Sequence, residues 1–182
     1  MIAVTCIAFF SACSTNNVVA TADPDADFGA YKTYNFAPVL DTDGKEYESL
    51  ESNYLKKAVG REMQARGFSL DSNPDLLVNF SIETEEKIRT RSVPTAGYGA
   101  GYDPYYDVYY DDWGAHHETR IDSYTEGKLN IDFIDPALRK MVWQGSTKGR
   151  LTQQMMADAE VTLNEAAAEI FEVFPVKKPE AE

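Results

Sequence analysis

From Asp75 to Glu85 the chain alternates. Leu76, Val78, Phe80 and Ile82 fall on one face, and Asn79, Ser81, Glu83 and Glu85 on the other. Strict alternation predicts a strand with one face on a core and one in water. Glu118 to Ile134 reads the same way, as one strand or a pair, with Leu129, Ile131 and Phe133 on the apolar face. Asp135-Pro136 then turns the chain, and Lys140 to Thr147, carrying Val142 and Trp143, pairs back. Tyr31 to Phe36 alternates aromatic and polar residues and predicts another strand, followed by a loop from Pro38 to Lys45. Phe68 to Leu70 predicts a short strand before the turn Asp71-Ser72-Asn73-Pro74. In two stretches the period becomes helical. Leu50, Tyr54, Leu55, Ala58, Val59 and Met63 mark a helix from about Glu48 to Arg66. Gly67 closes it, because glycine takes left-handed backbone freely. Met156, Ala159, Leu163, Ala166, Ala167, Ile170 and Phe174 form the stripe of a second helix, Gln154 to Val173, stopped by Pro175. The order strand, helix, several antiparallel strands, helix predicts one α+β domain over 28–175. Its expected form is an antiparallel sheet with two helices packed on one face. Residues 176–182 are charged and read as a disordered tail.

Upstream of the domain the pattern is of another kind. Ile2 to Phe10 is apolar and runs into Ser11-Ala12-Cys13. Small residues before a cysteine, directly after an apolar run, predict a lipoprotein signal peptide over 1–12, cleavage before Cys13 and a lipid on the Cys13 thiol. The first cation is Lys32, so the basic n-region is missing, which points to a start upstream of Met1 or to an atypical leader. A membrane-spanning helix needs ~20 apolar residues, and Ser14 to Asn17 interrupt the run well before that. Ala20-Thr21-Ala22 offers a competing cut site for ordinary secretion, but it lies beyond a polar stretch, away from the apolar run. Residues 13–27 then read as a lipidated, flexible tether.

Cysteine usage agrees with export. Cys6 and Cys13 are the only two cysteines, so a chain cut before Cys13 has no disulfide and no thiolate metal site. The net charge of −13, and cations no denser than Lys56-Lys57 and Lys177-Lys178, speak against nucleic acid as a partner.

One segment is compositionally odd. Between Ser92 and His117, Tyr98, Tyr102, Tyr105, Tyr106, Tyr109, Tyr110 and Trp113 are interleaved with glycines and aspartates. Pro104, the glycines and the β-favouring residues argue against a helix, leaving a long loop or an extended hairpin. Three readings stay open. Tyrosines supply contact area at low entropic cost, which suits a recognition surface for protein, glycan or peptidoglycan. Asp107, Asp111, His116 and His117 are candidate metal ligands, although the acids stand four apart where a calcium loop needs them two apart. The third reading is a solvated hairpin tip without a role. Elsewhere catalytic chemistry finds little footing. Gly97-Tyr98-Gly99-Ala100-Gly101 lacks the preceding strand and the Gly-Lys-Ser/Thr of a phosphate loop, and no G-x-S-x-G is present. Neither a nucleophile–base pair nor a cofactor site can be named.

An ordered set of short motifs spans the domain: Phe28-Gly29-Ala30-Tyr31-Lys32-Thr33-Tyr34, Arg66-Gly67-Phe68, Pro74-Asp75-Leu76-Leu77-Val78, Glu126 to Asp132, Val142-Trp143-Gln144-Gly145 and Ile170 to Pro175. Together they resemble the bacterial lipoprotein family catalogued as domain of unknown function 4136. The resemblance implies a Gram-negative envelope lipoprotein with a small α+β domain and a variable Gly/Tyr-rich insert at 92–117. Ser14 after Cys13 implies sorting to the outer membrane, with the domain facing the periplasm. The family carries no activity over. The expectation is a lipid-anchored binding or structural module, not an enzyme. Its rivals are a metal-dependent or hydrolytic envelope enzyme and an accessory subunit of an envelope assembly.

Overall fold

The structure, a computed structural model, describes residues 18–44, 47–96 and 115–179, and for 94–96 and 115–118 the backbone alone. Cys13 and the expected signal peptide lie outside the described residues. Nine elements follow in order: β1 (Val19–Ala22), β2 (Thr33–Phe36), α1 (Leu50–Gln64), β3 (Ser69–Leu70), β4 (Leu76–Ala96), β5 (Ala115–Asp135), β6 (Lys140–Leu151), α2 (Gln153–Ala157) and α3 (Ala159–Glu172). Among the described residues the strands form one sheet in the order β1-β6-β5-β4-β2-β3.

The fold is α+β as expected, but the sheet is mixed. β1, β6, β5 and β4 pair antiparallel, whereas β2 runs parallel to both β3 and β4. Parallel neighbours need a crossover, and α1 supplies it between β2 and β3. Ser49 starts that helix, its Oγ accepting from Ser52 N–H at 3.0 Å. Gly67, at φ 88°, ends it while the Phe68 N–H donates to the Met63 carbonyl at 3.1 Å. The second expected helix is two helices. Asp158, at φ −105° and ψ 51°, breaks the run between α2 and α3, and Thr152 caps α2 through Met155 N–H.

The alternation forms the core. Leu76, Val78 and Phe80 of β4 and Leu129, Ile131 and Phe133 of β5 are buried with Leu55, Val59 and Met63 of α1 and Ile170 and Phe171 of α3. Leu50 and Met156, expected on the helical stripes, are exposed. In the β5–β6 ladder the register slips between Phe133 and Ile134, so the neighbours Val142 and Trp143 are both buried.

Two boundaries differ from expectation. The tether expected over 13–27 contains strand β1: Val19 stands opposite Ser146 and Ala22 opposite Trp143. Four exposed residues without apolar alternation give no strand signal, because main-chain bonds to the edge of β6 hold them. The tail expected over 176–182 is fixed at its start, with Val176 packed on the core and its carbonyl accepting from Arg66 Nε at 2.9 Å. Among the described residues no helix is long and apolar enough to cross a membrane.

Candidate functional site

β4 and β5 are far longer than their apolar cores require. They pair from Leu77↔Ile134 to Ala96↔Ala115, while β6 ends with Leu151 opposite Thr125. Beyond that point residues 87–96 and 115–124 form a two-stranded arm, about 34 Å long at ~3.4 Å per residue. Of the two backbone readings of 92–117, the hairpin holds as far as Ala96 and Ala115. The expected loop is shorter at both ends, since Ser92 to Ala96 and Ala115 to His117 are paired strand.

Alternation divides the arm into two faces. Lys87, Arg89 and Arg91 stand opposite Tyr124, Asp122 and Arg120 on one, and Ile88 and Thr90 stand opposite Ser123 and Ile121 on the other. Ile88 and Ile121 are 73% and 69% exposed on the second face, and Arg89, Arg91 and Asp122 are exposed on the first, so neither face is covered. Lys148 and Arg150 continue the first face onto β6, where the Arg150 guanidinium lies 5.2 Å from the centre of the Tyr124 ring. Arg89, Arg91, Tyr124, Lys148 and Arg150 line part of a shallow polar hollow at its base. Asp122 and Glu126 are interspersed on this face and Lys87 is paired with Glu85 at 2.6 Å, so an acidic chain carries a mixed face with cations in excess. The cations are spaced two apart and meet across strands, so sequence density hides them; Lys-x-Arg-x-Arg at 87–91 is the sign a strand reading would find.

Below the arm the helix-free face of the sheet is a polar network. Gln144 Nε2 donates to Asp132 Oδ1 at 2.7 Å, and Asn130 Nδ2 donates to Ser81 Oγ at 2.9 Å. Asn79 Nδ2 donates to Asp41 Oδ2 at 2.8 Å. Asn130 and Asp132 are buried although they lie opposite the apolar core. Burial raises the Asp132 carboxyl above its ordinary value, against the hydrogen bond from Gln144. A carboxyl raised in the folded state destabilises the fold above its folded pKa and has no such effect below its unfolded one. Asp132→Asn, which keeps an acceptor for Gln144, is therefore expected to be more stable than wild type at neutral pH. The difference should shrink as pH falls through the raised pKa and vanish in acid, read from urea midpoints across pH.

Most of the sequence candidates belong to 97–114, the stretch that joins the two strands of the arm in sequence. Tyr98, Tyr102, Tyr105, Tyr106, Tyr109, Tyr110, Trp113, Asp107 and Asp111 lie outside the described residues. His116 and His117 belong to β5, at the register positions of Thr95 and Pro94. Among the described residues, no three His, Cys, Asp or Glu side chains come together as metal ligands.

Residues 18–176 match the family model described as Domain of unknown function (DUF4136). No curated protein matches the chain. A solved PDZ domain protein from Parabacteroides distasonis superposes with a TM-score of 0.57 at 13% identity, covering 89% of this chain and 36% of its own. The chain thus spans about a third of that protein's length, and at such identity the likeness is one of fold. Two structures of the PelC dodecamer from Paraburkholderia phytofirmans give TM-scores of 0.45, at 11% and 10% identity. They cover 85% of this chain and 93% and 94% of theirs.

Proposed function

The chain belongs to the DUF4136 family, and from that premise we propose that it is a lipid-anchored outer-membrane protein facing the periplasm that works by binding and not by catalysis. The lipid on Cys13 holds it to the membrane, and the β4–β5 arm presents the tyrosine-rich segment to an envelope partner, whether protein, glycan or peptidoglycan. The arm carries this reading. A two-stranded ribbon with both faces in water buries little and is marginal alone, so its length is not explained by stability. The excess of cations on one face of an acidic body favours partners bearing acidic groups. The direction of β1 adds a constraint: running antiparallel to β6 from Val19↔Ser146, it brings the chain in from the arm end of the sheet. With at most ~18 Å of chain between Cys13 and Val18, an anchor at Cys13 keeps this end of the sheet near the membrane.

The test keeps the ribbon and removes its tip. Ala96 and Ala115 face each other, so an Asn-Gly turn in place of residues 97–114 closes the hairpin with two residues. Crosslinking in native envelopes, followed by pull-down, is expected to lose partners present with wild type while the melting temperature is unchanged. Identical partner sets from both chains would remove the recognition role.

A further inference from the structure

An apolar groove of about 270 Å³ opens between the arm end of the sheet's core face and helices α2 and α3. Leu129 and Leu151 of the sheet, Met155 of α2 and Leu163 and Ala166 of α3 line it. It exists because one position facing it, Gly149, lacks a side chain, while Leu151 covers the neighbouring Gly127. Gly127 and Gly149 are cross-strand partners, and a Cβ added at Gly149 would meet no atom within 4 Å. Thr147, Thr162 and the charged Glu51, Lys148 and Glu165 also border it, but most of its exposed lining is apolar. Its walls suit a hydrocarbon chain.

The course of the backbone indicates which one. Thr147, Gly149 and Leu151 of β6 border the groove, and β1 enters alongside that stretch, with Val19 opposite Ser146. The chain therefore enters β1 beside the stretch of β6 that borders the groove. From Val18 back to Cys13 is five residues, a reach of at most ~18 Å at ~3.6 Å each. We propose that the groove is the docking site for an acyl chain carried by Cys13 of the same molecule. This rests on the anchored reading above. Bilayer and groove offer an acyl chain similar apolar surroundings, so docking prevails where no bilayer is within reach, and it shields the lipid in water.

Cells fed a clickable, photoactivatable palmitate supply the full lipidated protein for the test, purified as a mixture of isotopically heavy and light chains and freed of detergent. Click detection first establishes that label is bound and that Cys13→Ser takes up none. Irradiation is then expected to link the Cys13 lipopeptide to residues 149–166 of the same chain. That link should be lost in Gly149→Leu, which fills the groove, and in Met155→Glu, which places a charge at its mouth, with melting temperatures near wild type. Label on Cys13 with no such link, links between heavy and light chains, a phospholipid adduct in the groove, or links unaffected by both variants would overturn the docking site and leave the anchor standing. No label on wild type would overturn both.

Discussion

Trp143→Ala is expected to destabilise the domain by about 3–5 kcal/mol, a large share of the roughly 5–15 kcal/mol that holds an ordinary domain folded. Trp143 is buried and packs edge-on against Phe133 and Phe174, with ring centres 5.5 Å and 5.0 Å away. Phe171 closes the cluster against Phe133 at 6.1 Å. These rings join β5, β6 and α3, so the cavity left by alanine has rigid walls on several sides and little to refill it. The indole also lies against a bare backbone: a Cβ at Gly145 would stand 2.2 Å from Trp143 Cη2 and 2.5 Å from Ile170 Cγ2. Gly145→Ala alone is therefore expected to cost about 1–3 kcal/mol by overpacking. Paired with Trp143→Phe, which withdraws the nearest atoms, it should cost measurably less than in wild type. Urea denaturation of the two singles and the double reads this coupling; strict additivity would place the strain elsewhere.

Arg66→Met should lower stability by about 3 kcal/mol, near the lower end for breaking a buried ion pair. The Arg66 side chain is 4% exposed. Its Nε donates to the Val176 carbonyl at 2.9 Å, Nη2 to the Phe171 carbonyl at 2.8 Å, and Nη1 to the Glu62 carbonyl at 2.9 Å and to Glu62 Oε2 at 2.6 Å. The guanidinium also sits 5.0 Å from the centre of the Phe171 ring. One side chain thus ties the end of α1 to the end of α3 and to the chain beyond it. Methionine keeps the stem and leaves three carbonyls, those of Glu62, Phe171 and Val176, without this donor. The lower end is expected because Lys178 Nζ still reaches Glu62 Oε2 at 3.0 Å. Arg66→Lys should rescue little, since a single ammonium cannot serve groups set around a planar fork. Burial pushes the Glu62 carboxyl up, but hydrogen bonds from Arg66 and Lys178 outweigh it and hold the carboxyl below its ordinary value. Its share of stability is present at neutral pH and lost as pH falls through that lowered pKa. The gap between wild type and Arg66→Met should therefore narrow in acid, in thermal melts across pH.

Where burial is one-sided, the sequence displays it. Leu76 to Phe80 and Leu129 to Phe133 alternate because one face meets the helices, and the stripe from Leu55 to Met63 recurs because α1 covers that face. Pairing order leaves no such local trace. The sequence of strand, helix and strand between Thr33 and Leu70 is equally readable beside an antiparallel sheet, and only β2's neighbours reveal parallel pairing. Arm residues 87–91 give no strand signal for the opposite reason: solvent on both faces removes any apolar period, leaving Lys87, Arg89 and Arg91 as the only regular sign. β1 is shorter still and depends on main-chain bonds to β6. The burial of Asn130 and Asp132 depends on Ser81 and Gln144 from other strands, which no local window contains. Of the candidate site, the tyrosine-rich segment stood out by composition, whereas the arm that carries it emerged from the strand register.

The anchor is tested most directly by metabolic labelling with a fatty acid, comparing wild type with Cys13→Ser in fractionated cells. The expected result is labelled wild type in the outer-membrane fraction and an unlabelled variant released from it. Label persisting on Cys13→Ser, or a wild-type chain that takes up none, would contradict lipid attachment at Cys13.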